Sequence, residues 1–270
     1  MPNPRDYQFN LPASDRPSGV TIPEQWYPGV QNYWPRCTSQ RIVGDHINGV
    51  VAVVIHATAG FRSADAVSVM HPPPGDSAAS FHWLVPDEDE PQHGQLIWAC
   101  VRERDAAWHV RPGASHADVN GGRNRVNHWS LGVEIVNRQL GGDAFSDWQV
   151  AIVAQLVRYC WSKYPNLRHV VSHAKLDPLR RTDPGANFPW ERFKGLVLNP
   201  PDDASPNLVT ADVASSTSRN IIETQETASL EEEEANFNRE ESEAYSGAAP
   251  AGADSGAGTN ADKLHEAQDG

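Results

Sequence analysis

The stretch Gly49–Gly60, GVVAVVIHATAG, decides the fold class. Val50 to Ile55 is a continuous apolar run, mostly β-branched and closed off by glycines. A run this short, with no polar alternation, is a strand buried on both faces in the middle of a sheet. It places His56 at its C-terminal end. Further along, SLGVEIVN (Ser130–Asn137) reads as a second strand, whose alternation sets Glu134 on the face opposite Val133 and Ile135. LRHVVSH is a last short strand that delivers His173 at its end. ASFHWLV and QLIWACV read as two antiparallel strands joined by the acidic, turn-rich PDEDEPQHG.

The clearest helix is SDWQVAIVAQLVRYCWSKY, where Ser146 and Gln149 make a capping-box pattern ahead of apolar residues at helical spacing. SADAVSVM is a shorter helix, with Ser63 expected as its N-cap. Strands and helices mix without strict alternation. The expected fold is therefore α/β in the broad sense (mixed α+β), a central mixed β-sheet flanked by helices. Residues 1–49, rich in Pro, Trp and Tyr (EQWYPGVQNYWPRC), show no sustained periodicity and are expected to wrap one face of the body. No internal repeat is visible.

Charge divides the chain in two. The net charge of −13 over 270 residues belongs wholly to residues 201–270, which hold 16 acidic against three basic side chains. Residues 1–200 are balanced, 19 against 19. The tail has eight Leu, Ile, Val or Phe residues, too few to offset the entropy of ordering it. All nine tryptophans precede residue 191. The expected organisation is a wrapping segment 1–49, a catalytic domain 50–198 and a disordered acidic tail 199–270. A neutral body with an acidic tail disfavours nucleic acid as a partner. No stretch has the length and apolarity of a membrane span. The N-terminus lacks the basic start and apolar run of a signal peptide, so the expected setting is the cytoplasm or export by a non-standard route. Cys37, Cys100 and Cys160 share no metal-type spacing and read as buried thiols.

The chemistry gathers at histidines. His56 and His173 each end a strand, and neighbouring strand ends converge on one edge of a sheet. RRTDPGANFPW, ten residues past His173 at its aspartate, stiffens a turn with Pro184 and Gly185 around Asp183. Three protein ligands of the His and carboxylate kind, with one open position, make a catalytic zinc site. His56, His173 and Asp183 can form such a set. With eleven histidines in the chain many triples are conceivable, and each histidine taken singly is more simply a core or surface residue.

Five ordered blocks narrow the choice: VVIHATAG, SFHWLV, AAWHVRPG, NHWSLGVEIVN and VVSHAKLDPLRRTDPGANFPWERF. Together, over roughly residues 50–195, they resemble the zinc-dependent N-acetylmuramoyl-L-alanine amidases of the amidase-2 family, which is related to the peptidoglycan recognition proteins. The resemblance implies Zn2+ held by His56, His173 and Asp183. An aspartate third ligand resembles the bacterial recycling and cell-wall branch typified by AmpD, since other branches commonly use cysteine. It implies Glu134 as the catalytic general base and acid. Arg181 stands where the family usually has an oxyanion-stabilising lysine, with the charge kept and the hydrogen-bond geometry changed. Phe81 stands where phage-lysozyme-type members have a catalytic tyrosine, and His82 beside it is implied to be structural.

Trp108, His109 and Asn127 fall in blocks that line the family's substrate cleft. They are implied substrate-binding residues, Asn127 by orienting a cleft loop, although core packing is a simple alternative for Trp108 and His109. The implied reaction cuts the amide between N-acetylmuramic acid and L-alanine in peptidoglycan or muropeptides, by a monomer whose tail has no assigned partner. The alternative is a noncatalytic module binding the same ligand. Such modules typically lose a zinc ligand, whereas all three positions are filled here. A metal-independent scaffold with a partner-binding acidic tail leaves the five blocks unexplained.

Overall fold

In a computed structural model of the protein, residues 3–27, 38–42, 45–70, 78–90, 95–139 and 142–200 are described; the acidic tail from 201 onward and Cys37 lie outside them. The strands are β1 (Gln8–Asn10), β2 (Glu24–Trp26), β3 (Thr38–Gln40), β4 (Ala52–Ala57), β5 (Trp83–Val85), β6 (Ile97–Ala99), β7 (Asp105–Ala107), β8 (Ser130–Ile135) and β9 (His169–Ser172). The helices are α1 (His46–Gly49), α2 (Ser63–Ser68), α3 (Asp147–Lys163), α4 (His173–Leu176) and α5 (Trp190–Leu198). Seven strands form one sheet in the order β1-β9-β4-β8-β5-β6-β2, and β3 pairs with β7 apart from it.

The four middle strands, β9, β4, β8 and β5, run parallel, while β1 and β6 pair antiparallel on either side. The sheet is mixed, as the sequence pattern predicts. All six residues of β4 are buried because both faces of the sheet are covered. Val53, Ile55 and Ala57 join Leu131, Val133 and Ile135 under α3 and α5. On the opposite face, Ala52 and Val54 pack with Val110, Trp129 and Val171. Farther along that face, Leu84 and Trp98 pack with Val67, Met70 and Phe81. Between these two apolar patches the strands present His56, Ser130, Gly132 and Glu134, a polar gap in an otherwise dry surface.

Helix α3 forms for the reasons its sequence gives. Ser146 Oγ accepts the Gln149 N–H at 3.1 Å and Gln149 Oε1 accepts the Ser146 N–H at 3.2 Å, a closed capping box. Val150, Val153, Ala154, Val157 and Trp161 then face the sheet at helical spacing. Its C-terminal carbonyls are met by Arg16, whose Nη1 donates to the Trp161 oxygen and to the Tyr164 oxygen at 2.6 Å. Helix α2 corrects one expectation. Arg62 occupies the N-cap position and Ser63 is already inside the helix. The capping acceptor comes from far away in sequence: the Glu90 carboxylate takes the Ser63 N–H at 3.0 Å and the Ser63 hydroxyl at 3.0 Å.

The segment expected to wrap one face supplies instead the strand at each end of the sheet. β1 pairs with β9 at one edge and β2 with β6 at the other, while β3 completes the small second sheet. Pairs only three residues long leave no periodic signal in sequence. Cys100 and Cys160 are buried, as expected. Among the described residues no helix is long and apolar enough to cross a membrane.

Candidate metal centre

His56 and Glu134 are register partners on adjacent parallel strands, so their side chains leave the sheet side by side on one face. His173 follows β9 directly and opens α4, whose N-cap Ser172 accepts the Lys175 N–H at 3.0 Å. Three groups thus reach the carboxyl ends of neighbouring parallel strands, where ligand sites of open α/β sheets are found. Asp183 arrives from the loop beyond α4. Its carbonyl accepts the Ala174 N–H at 3.0 Å, and the turn behind it closes with the Gly185 N–H on the Thr182 oxygen at 2.9 Å. Gly185 sits at φ +88°, a conformation that favours glycine. The Asp183–Pro184 peptide is cis.

The donor atoms converge. His56 Nδ1 lies 3.0 Å from His173 Nδ1 and 3.2 Å from Asp183 Oδ2, and the last two are 3.0 Å apart. All three residues are buried, and among the described residues they are the one His/Cys/Asp/Glu group spaced to hold a metal ion. A tetrahedral zinc with bonds of about 2.0–2.2 Å holds its ligand atoms about 3.3–3.6 Å apart. The observed triangle is one face of such a tetrahedron drawn slightly tight, with two nitrogens and one carboxylate oxygen of the right chemical kind. The residues fit a zinc ion.

Their protonation suits the same role. Burial, and then the charge of His173, push the His56 imidazole down to about 4, against the hydrogen bond and charge of Asp183. It is neutral at neutral pH, as a metal ligand must be. Burial acts to raise the Asp183 carboxyl, but its hydrogen bonds to His173 and His56 outweigh that and hold it below the usual carboxylate range. Burial pushes the Glu134 carboxyl well above its ordinary range; Asp183's charge adds to this and Arg181 opposes it.

A cleft of about 250 Å³ opens over the triangle, lined also by Thr58, Asp65, Phe81, His109, Glu134 and Arg181. Arg181 is exposed at its edge and makes no ion pair among the described residues. Its loop is held by Asp177, whose carbonyl accepts the Arg180 and Arg181 N–H groups. The Asp177 carboxylate is itself gripped by Arg111 through Nε at 2.6 Å and Nη2 at 3.1 Å. This fork ties the loop carrying His109 to the loop carrying Arg181. Arg180 is exposed.

Trp108 and Asn127 are not among the residues that line this cleft. Trp108 packs against the Val67–Met70–Phe81 patch and is not part of the lining. Asn127 is buried behind the cleft, where its Oδ1 accepts the Val110 N–H at 2.9 Å and its carbonyl accepts from Arg41. Asn127 therefore orients the loop next to His109 from below. His109 does line the cleft, but both its ring nitrogens are engaged inside the protein, Nδ1 at 3.0 Å from His56 Nε2 and Nε2 at 3.2 Å from Ser130 Oγ. His82 is fully buried, its Nδ1 accepting the Gly132 N–H at 2.9 Å. The Arg111–Asp177 fork and the His109 contacts escape a reading of the sequence; the one hint is Gly132, a glycine inside a strand.

Fold and site together define an α/β domain that carries, among the described residues, one His/His/Asp group spaced to hold a metal ion and a carboxylate beside it. Residues 48–186 match the family described as N-acetylmuramoyl-L-alanine amidase (Amidase_2), and the chain belongs to that family. Among curated relatives, it is 29% identical over 153 residues to the N-acetylmuramoyl-L-alanine amidase AmiD of Escherichia coli K12, covering 53% of this chain and 52% of that one. It is 36% identical over 89 residues to the 1,6-anhydro-N-acetylmuramyl-L-alanine amidase AmpD of Citrobacter freundii, covering 31% and 46%. The chain thus spans about half the length of the curated relatives it matches. Among solved structures, AmpDh3 of Pseudomonas aeruginosa is similar at 28% identity, with 54% of this chain and 59% of that one covered and a TM-score of 0.45.

Proposed function

We propose that the chain is a zinc-dependent amidase that hydrolyses the bond between the lactyl group of N-acetylmuramic acid and L-alanine. The observation that carries this reading is the donor triangle with Glu134 in register beside it. Family membership and the names of the relatives supply the substrate class, peptidoglycan or muropeptide. His56, His173 and Asp183 hold the metal. When bound, zinc supplies Lewis acidity, which polarises a carbonyl and makes water a nucleophile at neutral pH.

The remaining work falls to side chains. Glu134 stands beside His56 with a raised proton affinity, so it can take the proton of the attacking water and return it to the departing amine of L-alanine. Phe81 lines the cleft but has no hydroxyl, which leaves Glu134 as the proton carrier. Arg181, at the cleft edge and unpaired among the described residues, has its charge available for the oxyanion that develops on the carbonyl oxygen.

The test is mass spectrometry of zinc-loaded protein with soluble anhydro-muropeptides and, separately, with purified sacculi, each with and without a chelator. Release of a stem peptide beginning with L-alanine, abolished by the chelator, is the expected result. Zinc bound in a native spectrum with no release from either substrate would overturn the enzymatic reading in favour of a noncatalytic binding module.

A further inference from the structure

His109 has no polar atom left for a substrate, yet it is buried against a metal-site histidine. We propose that His109 is a positioning residue: through a hydrogen-bond chain that ends on the Val126 carbonyl, it fixes His56 in the tautomer whose Nδ1 lone pair faces the metal site. The inference rests on the zinc reading above and adds to it how one ligand is aimed.

The direction of every bond in the chain follows from its last member. The Val126 carbonyl can only accept, so Ser130 Oγ, 2.7 Å away, donates its single hydrogen there. Toward His109 Nε2, at 3.2 Å, the Ser130 oxygen must then accept, which puts the His109 proton on Nε2. In a neutral imidazole the other nitrogen is an acceptor, so His109 Nδ1 receives a hydrogen from His56 Nε2 at 3.0 Å. With its proton on Nε2, His56 keeps Nδ1 bare, and Nδ1 is the atom that meets His173 and Asp183. With the carbonyl fixed and both imidazoles neutral, each bond in the chain has one direction.

The chain is built rigidly. The His56 and His109 rings stand at 88° with centroids 5.1 Å apart, so each ring meets the other's edge. His109 lies directly on Gly132: a Cβ there would meet its Cγ at 2.6 Å. Only a residue without a side chain leaves room for the ring at this point of β8. Asn127 fixes the backbone one residue on, through the Val110 N–H. His173 has no equivalent device, since its Nε2 is buried without a hydrogen-bond partner among the described residues. The protein orients one imidazole through a chain of side chains and the other by the start of α4.

Such outer partners of a metal-binding histidine typically change metal affinity by about 10–100-fold when removed. The experiment uses the full chain in two arms. In the metal-free protein with 15N-labelled histidine, long-range 1H–15N spectra report which nitrogen of His56 carries the proton. Zinc affinity is measured by competition with a chromophoric chelator for the wild type, His109→Phe, His109→Asn and Ser130→Ala. The expected result is the Nε2–H form of His56 in the wild type, lost in His109→Phe together with about 10–100-fold in zinc affinity. His109→Asn, whose side-chain oxygen can stand near the lost Nδ1, should restore part of that affinity, a rescue that simple packing would not produce. Should His109→Phe fail to fold, the milder Ser130→Ala is read by the same spectra. An Nδ1–H form of His56 in the wild type, or equal zinc affinity in His109→Phe and wild type, overturns the proposal. If the wild type binds no zinc but shows the Nε2–H form that His109→Phe loses, the metal reading fails while the positioning role stands.

Discussion

Replacing Gly132 with alanine tests the packing behind the proposed metal site. The new Cβ would stand 2.6 Å from His109 Cγ, 2.9 Å from Cδ2 and 3.0 Å from Nδ1. Ordinary contact begins near 3.4 Å, so the ring has to retreat by 3.4 − 2.6 = 0.8 Å. It cannot do so freely, because it is held at 3.0 Å from His56 and 3.2 Å from Ser130. Overpacking of this kind costs about 1–3 kcal/mol. Alanine recovers about 0.5–1 kcal/mol of glycine's penalty inside a strand. The net expectation is a loss between about zero and 2.5 kcal/mol, measured as the shift in urea midpoint of the metal-free protein. The decisive assay is a double-mutant cycle with His109→Ala. Removing the ring opens the space the methyl group needs, so the Gly132→Ala cost should vanish or reverse in that background, giving a coupling of about 1 kcal/mol or more. Effects that add within about 0.3–0.5 kcal/mol, or a Gly132→Ala protein more stable than wild type, would refute the packing argument.

Glu134→Gln should abolish most turnover, by about 10²–10⁴-fold, read from initial rates on muropeptide. The same change should stabilise the metal-free protein at neutral pH. Burial holds the Glu134 carboxyl above 4.5 in the folded state, so the stability associated with its proton is present below that pH and is lost as pH rises through the folded value. Gln carries no such loss, and the gap between the proteins should open above about pH 4.5 and close below it; a gap independent of pH in denaturation midpoints would contradict this. Arg181→Ala should lower kcat about 10²–10³-fold with KM little changed, and Arg181→Lys should lose less, whereas unaltered kcat in the alanine variant would remove Arg181 from the chemistry. Phe193→Ala, at a fully buried ring packed on Phe9, Phe188 and Trp190, should cost about 3–5 kcal/mol in chemical denaturation without altering zinc affinity.

The parts of the fold legible in sequence are those whose signal is local. β4 and β8 are long enough to show their apolar run and their alternation, and α3 announces itself by a capping box that works within four residues. The convergence of His56, His173 and Asp183 is legible because two of them end strands and the third sits in a turn of distinctive composition, with five ordered blocks to pick the triple among many histidines. What stayed hidden depends on partners distant in the chain. The cap of α2 comes from Glu90 rather than from Ser63, because a local serine and a remote carboxylate compete for the same N–H groups. His109 and Trp108 are adjacent in sequence and were read alike, yet one lies against the metal site and the other packs into a core patch. Asn127 is expected to orient a cleft loop, and the contact by which it holds the backbone at Val110, from beneath the cleft, has no local signal.

The edge strands carry a practical consequence for anyone trimming this chain. The family match begins at residue 48, an inviting place to start a shortened protein. A cut there would remove β1 and β2 together, leaving the outer rims of β9 and β6 with open rows of backbone donors and acceptors. Both rims are rich in apolar side chains, among them Val170, Val171, Ile97 and Trp98. Uncovered strands of that composition recruit other chains by edge pairing, so the shortened protein should precipitate or self-associate even with His56, His173 and Asp183 intact. β1 and β2 cover those two rims, and a shortened domain should stay dispersed only if it keeps both strands.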